Sequence, residues 1–173
     1  LVKLTCLQPD GTDITLDLRA PGQFVDTFSH HSNGTYRAAA TALTHISFYR
    51  LRVVDLESVL AKELDTARLW RKEQSAELRR SLSVLADRRT FTARQRFEKL
   101  LWTIFHLTPS HDNSKGRGLP AALTETEIAA LTSVSLCHAS RIKRDLEKKG
   151  VLQRHGNRIV VCKAEALFHQ SML

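Results

Sequence analysis

Apolar and polar positions along the chain fall into successive textures. From Val2 to Leu51 the apolar residues come in short runs broken by turn formers, at Pro9-Asp10-Gly11, Pro21-Gly22 and Ser32-Asn33-Gly34, which predicts antiparallel β-structure. Ile14, Leu16 and Leu18 alternate with Thr15, Asp17 and Arg19, as in a strand whose apolar side is covered and whose polar side is wet. About four such strands would leave open edges, so this segment is expected to belong to a larger barrel or sandwich. Leu1-Val2-Lys3-Leu4-Thr5 already alternates like the middle of a strand, and carries the expectation that further residues precede it in the natural protein.

From Asp55 to Asp87 there is no Gly and no Pro, and Leu, Ala, Glu, Lys and Arg dominate. This predicts a long helix with room for one break. Leu60, Leu64, Ala67, Arg71, Gln74, Leu78, Ser81 and Leu85 follow steps of four and three, placing one residue per turn on a seam against a partner helix. The seam is apolar at its ends and polar in its middle. A helix of roughly 30 residues would reach about 45 Å, more than a domain of this size needs internally. A dimerisation helix is therefore expected, with a core helix inside one chain as the other reading. Thr92 to Leu107 forms a second amphipathic helix, with Phe97, Leu100, Leu101, Ile104 and Phe105 on one face and Thr92 and Gln95 as a capping box. Pro109 ends it, and Ser110 to Gly118 is expected to be a polar loop.

Helix, short turn and helix follow. Thr124 opens the first, its hydroxyl accepting from the N–H of Glu127 while that carboxylate reaches back. Ile128 and Leu131 give an apolar stripe, Ala129 and Ala130 allow close helix approach, and Thr132-Ser133-Val134 makes the turn. Ser135 caps the second helix, which runs to Lys149 before Gly150 stops it in the left-handed conformation. Ala139, Ile142 and Leu146 face inward, leaving Leu136, Cys137, Ser140, Arg141 and Arg144 on the outer face. Arginine suits bidentate contact with guanine O6 and N7, whereas Ser, Lys and backbone N–H groups at a helix start serve phosphate oxygens. Val151 to Arg154 and Arg158 to Val161 flank His155-Gly156-Asn157, a hairpin with a Gly-Asn tip that reads as a wing.

Composition narrows the class. The 173 residues, 42% hydrophobic and 25% charged, suit one large globular domain or two small ones. No run of about 18 apolar residues and no basic-then-apolar leader occurs, so neither membrane span nor signal peptide is expected and the protein is placed in the cytoplasm. Cys6, Cys137 and Cys162 are odd in number and form no C-x-x-C pair, which supports neither a disulfide framework nor a zinc module. The net charge of +8 favours a polyanionic partner. Its distribution is more telling: Arg141, Lys143, Arg144, Lys148, Lys149, Arg154, Arg158 and Lys163 stand within 23 residues, against only Asp145 and Glu147. The β-segment has no paired carboxylates, no Ser/His/Asp set and no phosphate-binding Gly loop, so no enzyme is expected. His30 and His31 are either solvated loop residues or haem or metal ligands, and no metal is assigned.

Leu-Thr-x-x-Glu-Ile-Ala (Leu123 to Ala129), then x-x-Ser-Arg-Ile-x-x-x-Leu-Glu-x-x-Gly-x-Leu (His138 to Leu152), then a wing, resemble the winged helix of the cyclic-AMP receptor and fumarate-nitrate regulator (Crp/Fnr) family. With Arg96-x-x-x-Leu100-Leu101 before it and the Asp10-Gly11 and Pro21-Gly22 turns, the resemblance covers essentially the whole chain. It implies an α+β fold: a partial cyclic-nucleotide-binding-like β-barrel at 1–54 lacking about its first third, a dimerisation helix at 55–90, and a winged helix-turn-helix at 91–173. It further implies a bacterial homodimer joined through the 60–85 helix, a palindromic double-stranded DNA operator, and RNA polymerase as an additional partner. Ser135, Leu136, Cys137, Ser140, Arg141, Arg144, Arg154 and Arg158 would be the DNA contacts.

Departures from the family pattern matter. Many members carry Glu-x-x-Ser-Arg at the start of the recognition helix; here Ser140 and Arg141 match but the Glu slot is Cys137, either a small contact residue or a redox switch. Nucleotide-binding members place Gly-Glu after the Pro-Gly turn and an Arg before Ala-Leu-Thr. Here the pair is Val25-Asp26, and Tyr36 takes the Arg slot with Arg37 one position off; a one-residue slip turns a strand side chain to the other face. Asp26, Arg37 and Ser81 are the effector-pocket candidates, and the cofactor stays unassigned. An iron-sulfur cluster would need several nearby thiols, which the sequence does not show. The expected mechanism is that an effector in the barrel shifts the central helices and so the spacing of the recognition helices. Two alternatives stay open: a cyclic-nucleotide-responsive member with Arg37 holding the phosphate, and a winged-helix module for protein contacts.

Overall fold

The computed structural model describes residues 1–11, 13–25, 38–107, 116–156 and 158–168. Three antiparallel strands, β1 (Val2–Leu7), β2 (Asp13–Arg19) and β3 (Ala39–Ala42), form a sheet in the order β2-β1-β3. Turn chemistry joins them as expected. The Gly11 N–H donates to the Gln8 carbonyl at 2.9 Å, and Pro21-Gly22, with Gly22 at φ 81°, make a turn closed by Gln23 N–H to Ala20 O at 3.2 Å. Ser32-Asn33-Gly34 and His30-His31 lie outside the described residues. The sheet does not close on itself among the described residues, in keeping with a partial barrel.

The alternation along β2 is reversed from expectation at Ile14 to Leu16, whereas Leu18 packs against the core as expected. Ile14 and Leu16 are each 42% exposed, while Thr15 and Arg19 are buried at 8% and 5%. The buried side is polar because it meets a helix through charge: Arg19 donates to Glu77 at 2.6 Å and to Asp17 at 2.9 Å, and Arg88 donates to the Thr15 carbonyl at 3.3 Å. A register shift between Leu4 and Thr5 adds a bulge, a device that re-aims side chains on a strand.

The long helix breaks once. Helix α1 (Val53–Lys62) buries no side chain, Glu63 is extended at φ −117° and ψ 99°, and α2 (Leu64–Thr90) continues the run. Among its side chains only Glu77 is fully buried. Trp70, on the Glu77 side, meets Phe24 edge-on at 5.0 Å. About a third of a turn round from Glu77, Leu64, Leu78, Leu82 and Leu85 are each 55–60% exposed, so the seam leucines Leu64, Leu78 and Leu85 lie outside the intramolecular core. Gln74 and Ser81, expected on that seam, are instead half-buried towards the Glu77 side. At about 100° per residue the exposed line passes through Ser75 and Leu82, because a straight helix drifts from a strict 3.5-residue repeat.

Helix α3 (Ala93–Leu107) starts with the expected reciprocal cap: Thr92 N–H donates to Gln95 Oε1 at 2.8 Å, and Gln95 N–H to Thr92 Oγ1 at 3.3 Å. Phe97, Leu101 and Ile104 are fully buried, with Leu100 and Phe105 packed beside them. They form one core with Leu119, Leu123, Ile128, Leu146, Leu152, Val161 and Leu167, and Leu1 and Ala20 join it from the sheet. Pro109 and residues 110–115 lie outside the described residues. Arg117-Gly118, expected as loop, is instead strand β4 (Arg117–Gly118), paired with Val160 and Val161; two residues are too short for a periodicity to show. Gly116 admits this close approach, since at its φ of 93° a Cβ would sit 2.8 Å from the Val161 carbonyl oxygen. Among the described residues no helix is long and apolar enough to cross a membrane.

Glu77→Ala leaves the Arg19 guanidinium buried without its main counter-ion and is expected to cost about 3–5 kcal/mol in equilibrium urea unfolding, whereas Arg19→Met combined with Glu77→Leu recovers most of that loss. An unaltered midpoint for Glu77→Ala would contradict this reading of the pair.

Candidate nucleic-acid interface

The site is built on α4 (Glu125–Thr132), α5 (Leu136–Lys148) and the hairpin of β5 (Leu152–His155) and β6 (Arg158–Val161). Thr124 caps α4 by accepting the Glu127 N–H at 3.2 Å. The reciprocal half of that capping box is not made. Both Glu127 carboxylate oxygens accept instead from Lys3 Nζ at 2.8 Å, since an ammonium is a stronger partner for a carboxylate than a neutral N–H. Ile128 and Ala129 are buried, but Ala130, expected to allow close packing, is exposed. The turn passes through Ser133 in the left-handed conformation, φ 53° and ψ 47°, and the Val134 N–H returns to the Ala129 carbonyl at 3.0 Å. Arg96 braces it, donating to Thr132 O at 2.9 Å and to Phe91 O at 2.7 Å.

Ser135 caps α5, accepting the His138 N–H at 3.3 Å. Lys149 closes the helix as its C-cap, Gly150 follows at φ 65°, and the Val151 N–H bonds back to Leu146 O at 3.0 Å, the six-to-one bond that ends many helices. Ala139, Ile142 and Leu146 are buried as expected. Opposite them Cys137, Arg141, Arg144 and Lys148 are exposed. Steps of four, three and four bring these four side chains within an arc of about 60°.

Pairing divides the basic cluster. Lys143 is held by Glu125 at 2.6 Å and Lys149 by Asp145 at 3.2 Å, and Asp145 also accepts from Arg94 of α3. Among the described residues Arg141, Arg144, Lys148 and Arg158 have no carboxylate partner. Arg154 Nε donates to the Gly156 carbonyl at 3.0 Å, which leaves its charge uncompensated, and the His155 and Arg158 pair closes the hairpin. Asn157 at the tip lies outside the described residues. Of the expected contact residues, Leu136, Cys137, Arg141 and Arg144 line the outer side of α5 with Ser135 at its start, while Arg154 and Arg158 project from the wing strands. Ser140 is different: it is half-buried and its hydroxyl donates to Glu125.

Of the effector candidates only Ser81 falls among the described residues. Asp26 and Arg37 lie outside the described residues, and Ser81 is on α2. Cys6, Cys137 and Cys162 are free thiols, and only Cys137 is exposed. Two residues of this surface escaped sequence reasoning. His138 is exposed on the first turn of α5, where a lone polar residue carries no distinguishing signal. Glu125 looks like an ordinary acidic residue in a first helical turn; only the packing of α4 on α5 sets it against Ser140 and Lys143.

Burial pushes the Glu125 carboxyl up, but hydrogen bonds from Lys143 and Ser140, with the charges of Lys143 and Arg144, outweigh it and hold the group below its usual value. Asp145 is likewise lowered, chiefly by the hydrogen bond from Arg94 and then by that from Lys149. Glu98 goes the other way, raised by burial against the opposing pull of Arg94. A carboxylate with a depressed folded-state value contributes stability that is complete above its unfolded value and disappears as pH falls through the folded one. The stability difference between the native chain and Glu125→Gln is therefore expected to be constant at neutral pH and to shrink on acidification below the ordinary glutamate range. Urea midpoints across pH measure it, and a difference that widens on acidification would refute this account.

Residues 95–169 match the family model of the Crp-like helix-turn-helix domain. In three dimensions the chain is similar to TTHB099, a CRP-family transcriptional regulator from Thermus thermophilus, with 23% identity, a TM-score of 0.78, and 96% of this chain aligned to 80% of that one. It is also similar to FixK2 from Bradyrhizobium japonicum, at 20% identity and TM-score 0.76 over the same shares of the two chains. A third similar structure is the c-di-GMP-responsive regulator CLP of Xanthomonas campestris, at 18% identity and TM-score 0.70, over 92% of this chain and 79% of that one. Among curated protein sequences none matches.

Proposed function

From the premise that this chain is a Crp/Fnr-type transcription regulator in fold, with a Crp-like helix-turn-helix domain at 95–169, we propose that it acts as a homodimer that binds a palindromic double-stranded DNA operator in a sequence-specific manner. The observation that carries this reading is the stripe of unpaired cations, Arg141, Arg144 and Lys148, on the side of α5 opposite the core. A helix with one buried side and one basic side, standing second in a helix-turn-helix, lies in the major groove and reads base edges with residues near its N-terminus. Arg141, nearest that end, reads a guanine. Arg144 and Lys148 extend along the groove, and Arg154 and Arg158 of the wing meet the flanking phosphates.

The exposed leucines of α2 support the dimer. Leu64, Leu78, Leu82 and Leu85 form a stripe that nothing among the described residues covers, and a second copy of α2 supplies the matching surface. Two-fold pairing puts the two α5 helices on half-sites about 34 Å apart, one turn of the duplex. The division of labour follows: residues 1–54 form the effector-responsive part, 55–90 the dimer contact, and 91–173 the DNA-binding domain, acting in the cytoplasm and towards RNA polymerase. The effector is left open, because Asp26 and Arg37 fall outside the described residues and Ser81 on α2 is the one candidate described.

Arg141→Ala is expected to lose about 1–3 kcal/mol of operator binding and to blur preference at one base pair per half-site, measured by mobility shift on single-substituted duplexes; an unchanged preference would remove Arg141 from base reading. Lys148→Ala should weaken all sequences alike and lower the salt slope by about 1. Leu78→Glu with Leu82→Glu is expected to convert the dimer to a monomer in sedimentation experiments and to abolish preference for palindromic over single half-site duplexes. A persistent dimer would place the contact elsewhere.

A further inference from the structure

The contact between Glu125 and Ser140 has a consequence for base recognition, which rests on the DNA-binding reading above. A serine hydroxyl has one proton and two lone pairs. Here the proton goes to Glu125 Oε1, while Lys143 Nζ holds Oε2 of the same carboxylate at 2.6 Å. The lysine keeps the carboxylate ionised and aimed, so the hydroxyl is locked as a donor inward. What it offers outward is its oxygen alone. Ser140 immediately precedes Arg141 and borders a groove, open between α5 and the wing, that Arg144, Glu147 and Arg154 also line.

A phosphate oxygen is only an acceptor, so a serine locked in this way has no proton to give it. The phosphate contact that serine commonly makes at a helix start is therefore closed to Ser140. In the major groove the groups that donate are the amino groups of adenine N6 and cytosine N4, whereas guanine O6 and thymine O4 accept. We infer that Glu125 is a specificity-determining positioning residue: by taking the Ser140 proton it makes Ser140 an acceptor that selects an amino-bearing base, adenine or cytosine, over guanine or thymine beside the base pair read by Arg141. Every base pair shows one amino and one keto group in this groove, on opposite strands, so the preference appears as a choice of strand. It also supplies, from Ser140, an acceptor that the thiol of Cys137 supplies poorly.

The test is selection of bound sequences from a duplex library with a randomised central segment, using the purified full chain and sequencing the bound fraction. The native protein should favour A or C over G or T on one strand, at one position per half-site, by roughly three- to tenfold, the range of one net hydrogen bond. Ser140→Ala should flatten that position and leave the guanine preference of Arg141 intact. Glu125→Gln should raise G and T there, because an amide N–H can donate to the serine oxygen and release its hydroxyl proton outward. Lys143→Gln, which removes the cation that aims the carboxylate, should weaken the preference and leave the guanine preference of Arg141 intact. An unchanged profile for Ser140→Ala, or uniform weakening of all sequences, overturns the inference, and Ser140→Ala, which removes a single oxygen, decides the matter should Glu125→Gln fail to fold. If the native chain enriches no sequence at all, the DNA-binding reading itself fails; if guanine is selected without any amino preference beside it, only this inference does.

Discussion

One guanidinium joins the end of the central helix to the helix-turn-helix. Arg96 donates to the carbonyl of Phe91, the C-cap of α2, and to those of Thr132 and Ser133 at the end of α4. Both places are helix C-termini, where backbone carbonyls lack intrahelical partners and the negative end of the helix dipole gathers. A cation with a planar fork of donors can satisfy both at once. It therefore sets the direction in which α3 leaves α2 and the shape of the turn before α5. The outward stripe of α5 has its orientation relative to the central helix because this brace and the α3 core of Phe97, Leu101 and Ile104 hold it there.

The sheet is tied to the same framework through charge. Arg19 reaches Glu77 on α2, Lys3 reaches Glu127 on α4, and Leu1 and Ala20 sit in the core of the C-terminal unit. Displacing the sheet from the helices has to break those pairs and open that core. Coupling between distant sites requires an element with two arrangements that both sites bias, and this seam touches the central helix and the helix-turn-helix together. The basic stripe of α5, Arg141, Arg144 and Lys148, is exposed.

Much of the helical part was legible. The caps at Thr92, Thr124 and Ser135, the buried triplet Ala139, Ile142 and Leu146, and the stop at Gly150 are local chemistry, settled by residues within a turn or two of one another. The match of residues 95–169 to a Crp-like helix-turn-helix domain bears out the resemblance carried by the motifs there. The β-segment was less legible. Its polar face is the buried one because the partner surface of α2 is charged, and alternation within β2 carries no record of what packs against it. β4 was missed because two residues have no period.

What the sequence by itself determined are the caps of the C-terminal helices at Thr92, Thr124 and Ser135, the stop at Gly150, the apolar triplets that build the core and the concentration of cations around α5, since each follows from neighbours along the chain. Only the tertiary structure decided which of those cations are free. Lys143 is paired with Glu125, 18 residues away, and Glu127 leaves its own cap for Lys3, 124 residues away, while Arg141, Arg144 and Lys148 form no ion pair among the described residues. Charge pairing acts through space, and the separations that matter, under 3 Å for these two pairs, are set by how helices and sheet pack and by nothing in the order of the residues alone.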